Sequence, residues 1–388
     1  MSDTPGQDQQ QNMRRVAMTS LAGTSIEWYD FFLYGTAAAV IFPKAFFPQE
    51  LPTMVLLIIS FSTLAVGFLA RPLGGIIFGH FGDRIGRKRT LVVALMMMGV
   101  ATTLIGFLPT YASIGIAAPL LLVALRFIQG LAIGGQWGGA MLLVTESAPS
   151  DQRGWYGAYA QAGAPMGVIL ANLAFIGVSS SMSDEAFMDW GWRLPFIASI
   201  VLIGISMYIQ LKIEDTEAFR SLSDAQSTDD KPAAAVERSP VVEAIRKYPK
   251  RIMLAAGAFL SVQVTFYILI AFVIAYGMNS PSVELSRDTM LTAVLVAAAI
   301  MVPTQFYFSG LSDRIGRKNV YRWGAILTGI WGFILFPLID TGDPIMIGFA
   351  ITMGLLFLGM QYGPQAAYFT ELFSTEVRYS GASLGYQI

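Results

Sequence analysis

The chain has 388 residues, of which 54% are hydrophobic and only 13% charged, with a formal net charge of −1 and a mean hydropathy of +0.57. A soluble domain carries about 25% charged residues, so this composition excludes an ordinary soluble enzyme. There is no cysteine, hence no disulfide framework and no thiolate metal site. The net charge argues nothing about nucleic acid, and neither a metal nor a nucleic-acid partner is expected.

Residues 1–18 are polar, with Arg14 and Arg15 just before the first apolar run. No small-residue cleavage site follows, so that run reads as a retained membrane helix rather than a signal peptide. A helix needs roughly 20 apolar residues to cross a bilayer. The pattern predicts spans at 19–43, 54–80, 90–109, 115–145, 155–180 and 193–212, then 252–278, 289–309, 321–340 and 344–371, with an eleventh starting near Tyr379. The polar stretch 213–251, which holds the basic run RKYPKR, reads as a cytoplasmic linker. With the N-terminus cytoplasmic, 20 of the 25 basic residues fall on inner segments and only Lys44, Arg193 and Arg287 on outer ones. The positive-inside rule selects that orientation.

The chain repeats itself. GHFGDRIGRKR at Gly79–Arg89 returns as GLSDRIGRKN at Gly310–Asn319, which places Asp83 and Asp313 230 positions apart at equivalent helix ends. A period that contains several helices marks an internally duplicated transporter rather than a solenoid. The units are 19–212 and 252–388, joined by 213–251. Arg153 of the first matches Arg378 of the second, but the first runs 59 residues further and the second only ten. By that symmetry a twelve-helix protein would continue about 50 residues past Ile388.

Several segments resemble the major facilitator superfamily and, within it, the metabolite:proton symporter family. They are GTSIEWYDFFLYGTAAA, LARPLGGIIFGHFGDRIGRKR, RFIQGLAIGGQWGGAMLLVTESAP, QAGAPMGVILAN and GPQAAYFTELFSTEVRYSGASLGYQ. The resemblance covers essentially the whole chain and looks closest to the shikimate-type branch. It implies an all-α integral membrane protein of two six-helix bundles, here truncated within helix 11. Such a protein is a monomer in the bacterial cytoplasmic (inner) membrane, driven by the proton gradient with no cofactor. Members carry small organic anions or zwitterions together with protons: shikimate, citrate, 2-oxoglutarate and other dicarboxylates, proline, betaine. Where many members have Glu, this chain has Gln136, a residue also expected near the cargo; if that Glu carries protons in the relatives, coupling here is relocated or altered. The resemblance further implies that Asp83 meets the N-terminus of helix 11 and Asp313 that of helix 5. Gly79, Asp83, Arg84, Gly86 and Arg87, with Asp313, Arg314 and Arg317, would then form the cytoplasmic gate.

A mid-bilayer charge costs at least about 2.5 kcal/mol on insertion scales. The candidates are Glu27 and Asp30 in helix 1, Arg71 in helix 2 and Arg126 in helix 4. Glu27, Asp30 and Tyr34 share a helix face. Asp30 and Arg126 are the expected proton-coupling pair. Neutralising the acid would free the guanidinium for a cargo carboxylate, whose planar geometry suits an arginine fork; the alternative is a permanent structural ion pair. Arg71 is either a second anion contact or the partner of Glu27. His80, at the end of helix 2, is a proton relay or a packing residue beside the gate. Gly130, Gly134 and Gly138 in helix 4, and Gly75 and Gly79 in helix 2, allow close helix approach. Gln161, Gln361 and Gln365 supply either amides for a hydroxylated cargo or hydrogen bonds between helices. The expectation is therefore a proton-coupled importer of a small organic acid. A proline or betaine carrier and a non-transporting sensor are the alternatives. An enzyme is not expected, because no nucleophile–base pair, nucleotide loop or metal cluster is present.

Overall fold

A computed structural model describes residues 5–85, 87–149, 151–214 and 246–372; inside those ranges the side chains of 79–91 and 135–143, among others, are not described. Ten long helices run through them: α1 Pro5–Val40, α2 Thr53–Ile85, α3 Arg87–Phe107, α4 Ala117–Ser147, α5 Arg153–Ser179, α6 Arg193–Glu214, α7 Pro249–Asn279, α8 Arg287–Ile315, α9 Arg317–Ile339 and α10 Pro344–Glu371. Their order follows the expected spans. One difference is that α1 begins at Pro5, so most of the polar segment 1–18 is helical. Residues 215–245, most of the expected linker, and 373–388, which hold Arg378 and the eleventh span, lie outside the described residues.

Among the described residues seven helices are long and apolar enough to cross a membrane, or eight if the pair Asp184–Gly191 and Arg193–Ile205, bent by 50°, is one span. That is fewer than the ten spans expected, for physical reasons. Glu27 and Asp30 interrupt the apolar run of α1, and the apolar part of α3 is only Val92–Phe107. The outward faces of the others are apolar: Leu69, Ile76, Met253, Phe333 and Ile345 are each more than 70% exposed. On a soluble monomer such a belt would be a liability; in a bilayer it meets acyl chains.

Local chemistry sets several helix ends. Ser286 caps α8 by accepting from the Thr289 N–H, and Asp343 caps α10 through Ile345, with Pro344 at the first helical position. Gly316 alone separates α8 from α9, at φ +93°. Only glycine adopts that backbone freely, which accounts for the glycine inside the second DRIGRK copy. Its counterpart Gly86 is outside the described residues. In α7 the α-helix ends at Tyr267, gives way to a π-helical turn over Ile268–Phe272 and resumes at Val273.

In the first half α1 packs on α5 and α6, α2 on α4, and α3 on α6 and α4. In the second half α8 and α9 both pack on α10. The main seam between the halves is α5 against α8, helped by α5 against α10 and by α1 against the π-turn of α7. The α2–α4 contact is backbone on backbone. A Cβ on Gly130 would lie 2.2 Å from the Gly67 carbonyl oxygen, and one on Gly134 would lie 2.0 Å from that of Arg71. These glycines bring α2 and α4 close enough to set their two arginines side by side.

Candidate functional site

The first half keeps a charged cluster deep inside. Asp30 is 2% exposed, Arg126 1% and Arg71 6%. The Arg126 guanidinium lies between two rings of α1, 4.4 Å from the centroid of Phe31 and 4.2 Å from that of Tyr34. Arg71 lies against the same Phe31 ring at 4.8 Å and against Phe68 at 4.5 Å. Phe31 thus touches both cations, an arrangement favoured by the ring quadrupole in a dry setting. Tyr267, just before the π-turn of α7, closes the cluster from the second half, packed edge-on to Phe31 and Phe68. The Tyr34 hydroxyl donates to Thr63 at 2.7 Å. An open cleft lined by Asp288, Thr292, Pro344 and Gly348 shares no residue with this cluster.

Asp30 and Arg126 were expected to pair directly, and they do not. Among the described residues a hydrogen-bonded chain joins them: Arg126 Nη1 donates to Gln129 Oε1 at 3.2 Å, Gln129 Nε2 donates to Thr102 Oγ1, and Thr102 Oγ1 donates to Asp30 Oδ2. The reason is steric and electrostatic together. The guanidinium is drawn onto the Phe31 and Tyr34 rings and seated against Gly67, leaving its Nε and Nη2 without a hydrogen-bond partner, as is Asp30 Oδ1. Glu27 is half-buried one turn away from Asp30.

The amides expected to face the cargo divide. Gln161 is spent on the seam, donating to the Tyr362 carbonyl of α10 at 3.0 Å. Gln361 is turned inside the second half, donating to Thr328 of α9 at 2.9 Å, so it does not join the arginine cluster. Gln365 is 1% exposed with both amide atoms unpartnered, and so are Gln305 at 0% and Gln263 at 7%. Gln263 lies four residues before Tyr267, one turn along the same face of α7. The side chain of Gln136 is not described.

At one end of the seam Asp313 sits on the N-terminus of α5. Its Oδ1 accepts from the Gly154 N–H and its Oδ2 from the Trp155 N–H, both at 2.9 Å. A carboxylate there satisfies two orphan donors and the positive end of the helix dipole. Arg317 bridges Asp313 at 2.8 Å and Glu371 at 3.0 Å, while Arg314 is exposed. Gly154 must be glycine, because a Cβ would lie 2.8 Å from Asp313 Oδ1 and 2.7 Å from the Ser309 carbonyl. The side chains of Gly79, His80, Asp83, Arg84, Gly86 and Arg87 lie outside the described residues. At the opposite end of the seam Arg287 pairs with Asp184 at 2.6 Å and with Asp288 at 3.2 Å, and Ser179 donates to Asp288 at 3.1 Å.

Sequence reasoning missed Thr102, Gln129, Gly67, the π-turn and the Arg287–Asp184 contact. Gln129 had a signal, since it follows Arg126 by three residues and so shares its helix face. Thr102 had none.

Two helical halves packed along one seam, with charges buried inside the first and ion pairs at both ends of the seam, define a multi-pass membrane transporter. Residues 21–387 match the Major Facilitator Superfamily, and the chain belongs to that family. It is 41% identical to the inner membrane metabolite transport protein YhjE of Escherichia coli over 96% of this chain and 84% of that protein. It is 40% identical to the shikimate transporter of Escherichia coli over 97% of this chain and 84% of that protein. The solved proton:xylose symporter XylE superposes with a TM-score of 0.69 at 16% identity, covering 97% of this chain and 85% of that one, a likeness of fold alone.

Proposed function

We propose that this protein imports a small hydroxylated organic acid together with protons across a bacterial inner membrane, its two halves rocking about the Arg126 cluster. The observation that carries the reading is Arg126: a buried guanidinium with two nitrogens unpartnered, linked to a buried carboxylate. Uncompensated burial of such groups is costly, and intramembrane charges are functional by default. An incoming carboxylate supplies the missing acceptor in the geometry a guanidinium prefers. Arg71, one ring away across Phe31, adds positive potential to the same place.

The rest of the cargo is suggested by the opposite wall. Each buried amide left unpaired costs about 1–3 kcal/mol, and Gln263, Gln305 and Gln365 leave six such atoms between them. Hydroxyl groups both donate and accept, so they satisfy amides of this kind. The 40% identity to a shikimate transporter agrees with a hydroxylated acid. Glu27 and Asp30 are the proposed proton carriers, Arg126, Arg71, Tyr34 and the buried amides the proposed cargo contacts, and Asp313 with Arg317 the proposed inner gate.

The test is uptake by the purified protein in liposomes under an imposed inward proton gradient, with labelled shikimate, 2-oxoglutarate, citrate, proline and betaine. Accumulation of a hydroxylated acid above its equilibrium level supports the reading. Accumulation of proline or betaine alone would replace the organic acid by a zwitterion. No gradient-driven uptake of any of the five would contradict transport of this class.

A further inference from the structure

The chain from Arg126 to Asp30 has a direction. Guanidinium donates to amide, amide to hydroxyl, and hydroxyl to carboxylate, with every proton pointing toward Asp30. Hydrogen bonds arranged head to tail polarise one another, most strongly where water is excluded, and every group here is buried: Thr102 0%, Gln129 1%, Arg126 1%, Asp30 2% exposed. Thr102 also has a second place for its single proton, because the Met98 carbonyl lies 3.0 Å from its Oγ1.

We infer that Thr102 and Gln129 are the positioning residues that couple the protonation of Asp30 to the hold on Arg126. With Asp30 ionised, the chain ends on an anion and ties the guanidinium back. When Asp30 takes up one proton on Oδ2, that oxygen becomes a donor to Thr102 Oγ1. The Thr102 hydroxyl then turns to the Met98 carbonyl while still accepting from Gln129. The chain now ends on a neutral alcohol, and Arg126 is held only by a neutral amide. Asp30 gains one proton, the Thr102–Asp30 hydrogen bond reverses direction, and the Arg126–Gln129 hydrogen bond, no longer backed by an anion, yields to a cargo carboxylate. Among the described residues the charged or titratable groups placed around Asp30 include Arg126 of α4 and, on α1, Tyr29 beside it with Glu27 and Tyr34 one turn to either side; α6 contributes the neutral Ser199.

This inference rests on the transporter reading but is tested first without cargo. The carboxyl stretch of Asp30, assigned by its disappearance in Asp30→Asn, is followed by infrared difference spectroscopy against pH in the purified protein. Thr102→Val should move the band and its titration midpoint. Gln129→Leu should move the midpoint too, although Gln129 does not touch Asp30. The double variant should move it no further than Thr102→Val does, because both changes cut one chain. Thr102→Ser keeps the hydroxyl and should restore the parental curve. A parental titration in Gln129→Leu, or additive shifts in the double variant, would overturn the relay. In liposomes, Thr102→Val should lose the gradient-driven accumulation of shikimate while exchange continues, with Thr102→Ser again parental. Parental accumulation in Thr102→Val would also overturn it. Where the parent does not carry shikimate, the liposome arm uses whichever of the five compounds it accumulates; if it accumulates none, the transporter reading fails and the infrared result decides the relay.

Discussion

Gly67 and Arg126 are in contact, and the contact fixes where the guanidinium lies: a Cβ at Gly67 would come within 2.6 Å of Arg126 Nε and 3.2 Å of its central carbon. α2 thus forms a floor under the arginine whose rings come from α1. Gly67→Ala should push the guanidinium off that floor, and overpacking of this kind costs typically about 1–3 kcal/mol. The expected outcome is a raised KM in exchange assays with a lowered melting temperature. Gly329→Ala in α9, where a Cβ meets nothing within 4 Å, should leave both as they are or stabilise the helix slightly.

Arg126→Lys should fail despite keeping the charge. Lysine cannot lie flat between Phe31 and Tyr34 or present a planar fork. A hydrogen bond to a charged group is worth about 1.5–3 kcal/mol, roughly a 10- to 100-fold rise in KM. Exchange kinetics with the transported acid measure it; a KM within threefold of the parent would remove Arg126 from the cargo site.

Asp313, at the proposed inner gate, holds one end of the seam by two backbone hydrogen bonds and an ion pair to Arg317. Asp313→Asn keeps the shape and removes the charge, so that end should open more often. The chain has no cysteine, and Ser309, fully buried beside Gly154, is a suitable reporter once changed to Cys. Maleimide labelling from the cytoplasmic side should be about 10-fold faster with Asp313→Asn, the factor expected for about 1.4 kcal/mol. Equal labelling rates would mean that this contact does not gate.

The opposite end should behave differently. The Asp184 side chain is 86% exposed, whereas Arg287 is 11% exposed and stacked on Phe187 at 4.1 Å. Exposed ion pairs contribute about 0–1 kcal/mol. Asp184→Asn should therefore change transport less than fivefold, while Arg287→Gln, which also loses Asp288 and the ring, should slow it more. Transport rates in liposomes at low and high salt compare the two variants.

Much of this was readable from sequence because a membrane restricts the options. Apolar runs of the right length marked the helices, and charges in apolar surroundings singled out Asp30, Arg71 and Arg126. What stayed hidden depends on which helix faces which. Thr102 looks like any helical threonine until α3 is packed near α1, and Gln361 sits at the right spacing beside Gln365 yet bonds to α9. The direct Asp30–Arg126 pair was expected from charge alone. The rings of Phe31 and Tyr34, which hold the guanidinium elsewhere, are visible only once the helices are assembled. The π-turn after Tyr267 left no mark in the sequence ILIAF.

The central claim is that Asp30 carries the coupled proton, and one variant tests it most directly. Asp30→Asn in liposomes should lose accumulation of the acid under an inward proton gradient while retaining counterflow exchange of the same acid. Accumulation by Asp30→Asn equal to the parent would contradict the account.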